Sequence, residues 1–404
     1  MKILILNHYA SIPELSSAET RHFEIGKRLV KKGHKITIAV GNYSHLLKKD
    51  WNSLVENDFE KEGVIFKIIK TRKYRGNGLS RFLSSYDFYK NGKKLKNEKF
   101  DIVVASSPHP FSWKLGNYIS KKQNIPLLIE LRDVWPDDLI EAGLISRNHP
   151  IVPFFKYMSK KYYTRSSGVI SLVPSIEKHL KSITSKKIPM KIIPNGVSLA
   201  NFFQPYPCKN LDEIPCFKNK TIKIVYTGSH NPSNGLEDVL KCIVKLEENL
   251  KNRFTFIFIG SGTEKQKLIN MAKNEKNVYF LNPISKSCIP YLLKEKSDVL
   301  LFSLKYFKNT EYPAFSSYKL LDYMASGKPI LSVDQKNLIL KNTNGAIFFT
   351  PKDCTSLSLA LKKILDKDKI EKMGKNNVEY IKKHRDWDVL SEQFEEFLIN
   401  VLGG

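Results

Sequence analysis

Cysteine is scarce in this chain. There are five in 404 residues, at positions 208, 216, 242, 288 and 354, with no C-x-x-C pair. Odd in number and scattered, they argue against a disulfide framework and a zinc site, and for a reducing compartment. The nine His add no metal-ligand spacing. No run of about 18 residues is free of charge, which excludes a conventional membrane-spanning helix. The opening MKILILNHYA has one basic residue, a very short apolar run and no small-residue cleavage site, so it does not read as a signal peptide. No glycine-rich loop is followed by GKS or GKT, which excludes a Walker loop. Two D-x-D strings, Asp366–Asp368 and Asp386–Asp388, stand among helical residues, where caps explain them better than a cation, and no metal is expected.

Acidic residues are also few: 40 Asp and Glu face 66 Lys and Arg, a net charge of +26. Residues 1–200 carry 35 basic and 17 acidic side chains, so the first half holds most of the excess. Between Arg72 and Lys99 nine basic and two acidic residues are interleaved with Tyr74, Phe82, Tyr86, Phe88 and Tyr89. Cations with aromatics suit an anionic lipid surface, where rings sit at headgroup level. Nucleic acid is the other polyanion such a surface could meet, and a solvated helix face is the plain alternative.

What is present is a repeated alternation of short apolar strands and amphipathic helices. KILIL at 2–6, a helix over about 18–32 and KITIAV at 35–40 make a βαβ opening. Strands at 101–105, 127–131 and 168–172 continue it, with helices at 111–121, 151–165 and 175–181. After a turn-rich stretch at 193–217 a second series begins, with strands at 222–226, 254–259, 278–281, 298–302 and 329–333. The reading is α/β, with two doubly wound parallel-sheet domains at 1–197 and 198–380. A closing helix within 381–404 is expected to pack back on the first domain. Ligands of such sheets bind at strand carboxyl ends, and four segments there carry chemistry. YTGSHNPSNGL passes Gly228, Ser229 and His230 on its way into a helix, and Gly260-Ser261-Gly262 repeats the strand, glycine turn, helix pattern; both suit phosphate or a plain turn. In PAFSSYKLLDYMASGKPI, Ser316, Ser317 and Tyr318 lead into a helix with Lys319 and Asp322 on one face. A carboxylate there can take a ribose diol and the Lys a diphosphate, unless the two simply pair with each other. In IELRDVW, Glu130, Arg132 and Asp133 end an apolar strand, where charges must face a cleft or pair together.

Taken in order, RHFEIGKRLVKKGHKITIAV, ELRDVWPDD, GVISLVPSIEKHL, KIIPNGVSLANFF, YTGSHNPSNGL, GSGTEKQKL and YKLLDYMASGKPI resemble retaining glycosyltransferases of family 4. The likeness is nearest to the branch that adds N-acetylfucosamine-type amino sugars to bacterial surface polysaccharides. The resemblance implies the GT-B fold, two Rossmann-like domains facing a cleft, and transfer of a sugar from a nucleotide diphosphate, UDP by expectation. The acceptor it implies is a saccharide or lipid-linked saccharide. It places Asp322 on the ribose, Lys319 and Ser316 to Tyr318 at the phosphates and sugar, and Gly228, Ser229, His230 and Gly260 in donor loops. It puts Asp133, Arg132 and Glu130 at the reacting centre, and Ser17, Glu19 and Arg21 on the acceptor side. A metal-independent reaction with no cofactor is expected, on a cytoplasmic protein held peripherally at the inner face of the plasma membrane by its basic half, with no nucleic acid partner. Two departures stand out: Ala314 replaces the first of the family's paired acids, and the basic pair after the Gly228 strand is missing. The rival expectations are a nucleotide-sugar 2-epimerase of the same fold and a non-catalytic basic protein that binds anionic polymer.

Overall fold

The computed structural model describes residues 1–404 except 14–19, 45–50, 52–57, 77, 134–135, 138–139, 141–144, 306–313 and 404. The chain divides into two units: residues 1–194 with 387–404, and residues 195–386.

The first unit is built on an eight-stranded sheet. Its strands are β1 (Lys2–Leu6), β2 (Lys35–Gly41), β3 (Phe59–Lys61), β4 (Val64–Ile69), β5 (Ile102–Ser106), β6 (Leu127–Leu131), β7 (Gly168–Ser171) and β8 (Met190–Ile192). Their order is β3-β4-β2-β1-β5-β6-β7-β8, parallel throughout except for the β3–β4 pair. The central strands β5 and β6 are buried along their whole length, as helices on both faces of a parallel sheet require. The strands β3, β4 and β8, the helix Leu79–Gly92 and, in the second unit, the strand Ala346–Phe349 were not legible in the sequence, because their apolar runs are short and those of β3, β4 and β8 are interrupted by lysine. The last helix, Trp387–Gly403, packs on helix Arg21–Lys31, where Lys32 Nζ and His34 Nε2 reach Glu395 at 2.6 and 2.7 Å and Arg28 pairs with Asp388.

The second unit carries six parallel strands, β9 (Ile222–Thr227), β10 (Phe254–Ile259), β11 (Val278–Leu281), β12 (Val299–Phe302), β13 (Ile330–Val333) and β14 (Ala346–Phe349). Their order is β11-β10-β9-β12-β13-β14. The winding direction reverses between β9 and β12, and a crevice opens at the carboxyl ends of strands at such a point. Two apolar layers, one on each side of this sheet, bury strand residues against the flanking helices, among them Val225, Ile257, Leu320 and Met324 on one side and Tyr226, Phe258, Val239 and Leu361 on the other.

The cysteines correct the sequence reading. Cys208–Cys288 and Cys242–Cys354 are disulfide-bonded within the second unit, across 80 and 112 residues of chain. Spacing along the sequence is blind to partners that only the folded sheet brings together, and the inference of a reducing compartment falls with it. Cys216 is free and buried, its thiol pushed up to about 11 by burial.

Candidate active site

In the second unit, the loops after β9 and β10 lie directly on one another. The Gly228 N–H donates to the Ile259 carbonyl at 3.0 Å, the His230 N–H to that of Ser261 at 2.8 Å, and the Glu264 N–H back to that of His230 at 2.9 Å. The approach is possible only for glycine: a methyl on Gly260, whose φ is +147°, would stand 1.9 Å from the Gly228 oxygen. Lys265 braces the stack from below, its Nζ donating to the carbonyls of Gly260 and Leu281 at 2.9 and 2.8 Å. His230 contributes backbone alone. Its ring is buried between Tyr226 and Phe280, and burial, with Lys265 and Lys319 nearby, lowers it to about 4.

Beside these loops stands the helix Tyr318–Ala325, capped by the Ser317 hydroxyl, which accepts from the Leu320 N–H. The turn before it closes through the Ser317 N–H on the Ala314 carbonyl at 3.0 Å, and Ala314 is left-handed at φ +55°. One turn into the helix, Tyr323 Oη takes the Thr227 N–H at 2.7 Å and fixes the helix against the end of β9. Lys319 therefore points under the glycine loop. Its Nζ donates to Asn234 Oδ1 at 2.7 Å and Tyr226 Oη at 3.1 Å, and sits 4.5 Å from the centre of the Tyr226 ring. Tyr226 and Asn234, which no sequence pattern singles out, in turn hold Ser229 through its carbonyl and hydroxyl.

Lys319 and Asp322 do not pair with each other, and neither makes an ion pair among the described residues. Burial without a counter-charge brings the Lys319 ammonium down to about 7 and lifts the Asp322 carboxyl to about 7, the latter opposed only by Lys286. Two half-buried charges three residues apart, neither held in an ion pair among the described residues, are costly to the folded chain. They are what a site needs that will receive an anion at one end and a hydroxyl pair at the other. Adjoining them at the ends of β9 and β10 is a recess of about 260 Å³, lined by Thr227 to Ser229 and Ile259 to Ser261 and walled by Pro283, Ile284 and Ile289.

The first unit gathers its own set at strand carboxyl ends. Glu130 and Arg21 are fully buried, and Glu130 accepts from Arg21 Nε at 2.8 Å, His22 Nε2 at 2.6 Å and Ser106 Oγ at 2.7 Å. Burial alone would raise its carboxyl; His22, Arg21 and these hydrogen bonds outweigh it and hold it well below the usual range. Arg21 spends its other two nitrogens on the carbonyls of Pro194 and Ile193, both at 2.7 Å. Both side chains are thus engaged with protein. Arg132 and Asp133 are half-buried in the next loop, their N–H groups both on Ser107 Oγ at 2.9 and 3.2 Å. The neighbouring loop after β5 carries His109, buried with Nε2 2.9 Å from His8 Nδ1 and lowered to about 3 by burial and by the charge of Arg81. Ser17 and Glu19 lie outside the described residues. Neutralising Glu130 leaves the buried guanidinium of Arg21 uncompensated, so Glu130→Gln is expected to cost about 3–5 kcal/mol in urea unfolding. A Glu130→Gln protein as stable as the wild type but without turnover would instead make Glu130 a reacting group.

Two family models match the chain without overlapping: Glycosyltransferase Family 4 over residues 18–201, and Glycosyl transferases group 1 over residues 209–387. The chain is a family 4-like glycosyltransferase. Its two halves match in the order and at the boundary that the two units show. An uncharacterized glycosyltransferase of Methanocaldococcus jannaschii is 22% identical over 250 residues, a match that spans 60% of this chain and 60% of that relative's length. Sucrose-phosphate synthase from Thermosynechococcus elongatus superposes with a TM-score of 0.74 at 13% identity, covering 100% of this chain and 99% of the other. The Anabaena protein HepE, solved with UDP and glucose, gives 0.68 at 14% identity over 98% and 99%. WaaG, a glycosyltransferase involved in lipopolysaccharide biosynthesis, gives 0.64 at 15% identity over 98% and 99%. At such identities the likeness is one of fold, and the fold is GT-B.

Proposed function

We propose that this glycosyltransferase moves an N-acetylated hexosamine or deoxyhexosamine from UDP to a saccharide or lipid-linked saccharide of a surface glycan, with retention of configuration. The observation that carries the donor half is the pair of uncompensated charges, Lys319 and Asp322, set beside stacked glycine loops. In this reading Asp322 accepts both ribose hydroxyls. Lys319 and the Tyr318 amide at the helix start neutralise the diphosphate, which assists its departure. Gly228 and Ser229 lie under the phosphates, and the recess walled by Pro283, Ile284 and Ile289 receives the base. The solved UDP complex of HepE supports that choice of nucleotide. Among the described residues no side chain is an obvious nucleophile, and attack comes from the face of the leaving phosphate, as the family resemblance implies. Asp133 steadies positive charge at the anomeric carbon and Arg132 orients the acceptor. Glu130 and Arg21 act as positioning residues that fix the ends of β5 and β6. No metal or other cofactor is part of the scheme.

The acceptor half rests on the basic surface of the first unit. Helices Leu79–Gly92 and Ile151–Arg165 meet through Phe82 and Phe154, with ring centres 5.8 Å apart. They leave Leu79 and Tyr157 73% and 58% exposed, with Lys161 Nζ 5.2 Å from the centre of the Tyr157 ring. Such a surface suits peripheral docking on anionic lipid, where lipid-linked acceptors reside. No helix among the described residues is long and apolar enough to cross a membrane.

A thermal-shift screen with UDP, GDP, ADP, dTDP and CMP tests the donor assignment. Saturating UDP is expected to raise the Tm of the wild type, and Asp322→Ala to lose most of that rise. No shift with any nucleotide would overturn the donor site; a shift that Asp322→Ala keeps would remove the ribose assignment.

A further inference from the structure

Arg385 is the largest charged side chain of the second unit to be buried, with 2% of its surface exposed, and it has no acidic partner among the described residues. Burial lowers its affinity for the proton, opposed only by a hydrogen bond and charge interaction with Tyr380. Its Nη1 is buried without a hydrogen-bond partner, and its guanidinium carbon stands 4.3 Å from the centre of the Phe315 ring. Phe315 belongs to the turn that closes on the Ala314 carbonyl and leads into the Lys319 helix. On the same turn, Asn195 donates from Nδ2 to the Ser316 carbonyl at 3.0 Å, while its Oδ1 is also buried and unsatisfied. A leftover donor and a leftover acceptor thus flank one turn of the donor site. Arg385 is held in place from behind: its carbonyl takes the Val197 N–H at 2.9 Å, and the Asp386 carboxylate takes that of Leu199 at 3.1 Å.

No carboxylate among the described residues pairs with this cation, which has only the Tyr380 side chain and the Phe315 ring beside it, although a guanidinium offers five donors and cannot discharge itself near neutral pH. Buried charges of this kind are expensive unless an anion joins them. Among the described residues the β9 loop itself brings no cation, since His230 and Asn231 follow its glycine, and the cations beside the helix are Lys319 and Lys286. We infer that Arg385 donates its free N–H to an anionic oxygen of the bound nucleotide sugar at the turn Ala314–Ser317. This inference rests on the donor site proposed above. Two groups could supply the oxygen, the diphosphate itself or a carboxylate on the transferred sugar.

The test compares wild type, Arg385→Met and Arg385→Lys by calorimetric titration with UMP, UDP, UDP-N-acetylglucosamine and UDP-glucuronate, and by melting of the ligand-free proteins. A charge-assisted hydrogen bond lost on Arg385→Met is expected to weaken binding about 10- to 100-fold. If the diphosphate is the partner, the loss falls on UDP and both UDP-sugars and spares UMP; if the sugar carboxylate is, it falls on UDP-glucuronate alone. Arg385→Lys keeps part of the affinity in either case. Ligand-free Arg385→Met is expected to melt a few degrees above the wild type, because an apolar chain of similar volume removes an uncompensated buried charge. A merely structural arginine would show the reverse, a lower melting temperature with affinities unchanged once folded, and that result overturns the inference. A wild type that binds none of the four ligands refutes the donor site itself, whatever the variants do.

Discussion

Lys319→Met is expected to weaken UDP binding about 10- to 100-fold and to slow transfer further, because the lost ammonium opposes charge on both bound and departing diphosphate. The same substitution should stabilise the ligand-free protein. Lys319 has its ordinary value of 10.5 in the unfolded chain and about 7 in the native one, so between these pH values the unfolded chain binds the extra proton. Stability from this group therefore rises with pH through that window, and its full cost is present below pH 7. Urea unfolding at pH 6 should find Lys319→Met more stable than the wild type, with the difference shrinking as pH approaches 10. Asp322 works in the opposite sense. Its carboxyl is raised from 3.8 to about 7, so native stability falls as pH rises between those values. Binding needs the lysine charged and the carboxylate ionised, which gives an affinity for UDP that peaks near pH 7 and drops by up to about tenfold per pH unit on each side. Lys319→Met should flatten the alkaline limb and Asp322→Asn the acid one. A wild-type affinity independent of pH between 5.5 and 8.5 would refute the assignment of both residues.

Gly260→Ala is the second substitution with a large expected effect. The added methyl would meet the Gly228 carbonyl oxygen at 1.9 Å, and the residue would keep a φ of +147° that side chains rarely adopt. Backbone has to move at both loops, at a cost of roughly 2–5 kcal/mol. Since those loops carry Ser229 and cover Lys319, nucleotide binding should disappear even at temperatures where the variant remains folded. Gly78→Ala is the control: an added methyl there has nothing within 4 Å, and its stability should stay within about 0.5 kcal/mol of wild type. A Gly260→Ala protein that melts like Gly78→Ala and binds UDP normally would show that the two loops do not depend on their close stacking.

The sequence by itself determined the strands that are continuous apolar runs, such as KILIL, LLIEL and FTFIFI, because burial on both faces of a parallel sheet leaves that mark locally. It determined the loops at their carboxyl ends too, since glycine and a helix start are written within a few residues of each other. Strands β3, β4, β8 and β14 escaped because their runs are short, and lysine interrupts those of β3, β4 and β8. What the tertiary structure decided is which charges meet. Lys319 and Asp322 look like a surface pair in sequence, yet the fold sends one under Tyr226 and leaves the other with no ion pair among the described residues, only Lys286 acting on it through space. Glu130 looks like a reacting acid, yet it is closed in by Arg21, 109 residues earlier. Cys208 and Cys288, and Cys242 and Cys354, look like unrelated thiols until sheet packing brings their Cα atoms within 5.7 and 4.7 Å. Arg385 carried no signal at all, because its distinguishing property is a buried guanidinium with no acidic partner among the described residues, which only three dimensions show. Backbone pattern is a local consequence of burial and can be read one element at a time; the state of a charge depends on neighbours supplied by other elements, and only the folded chain specifies them.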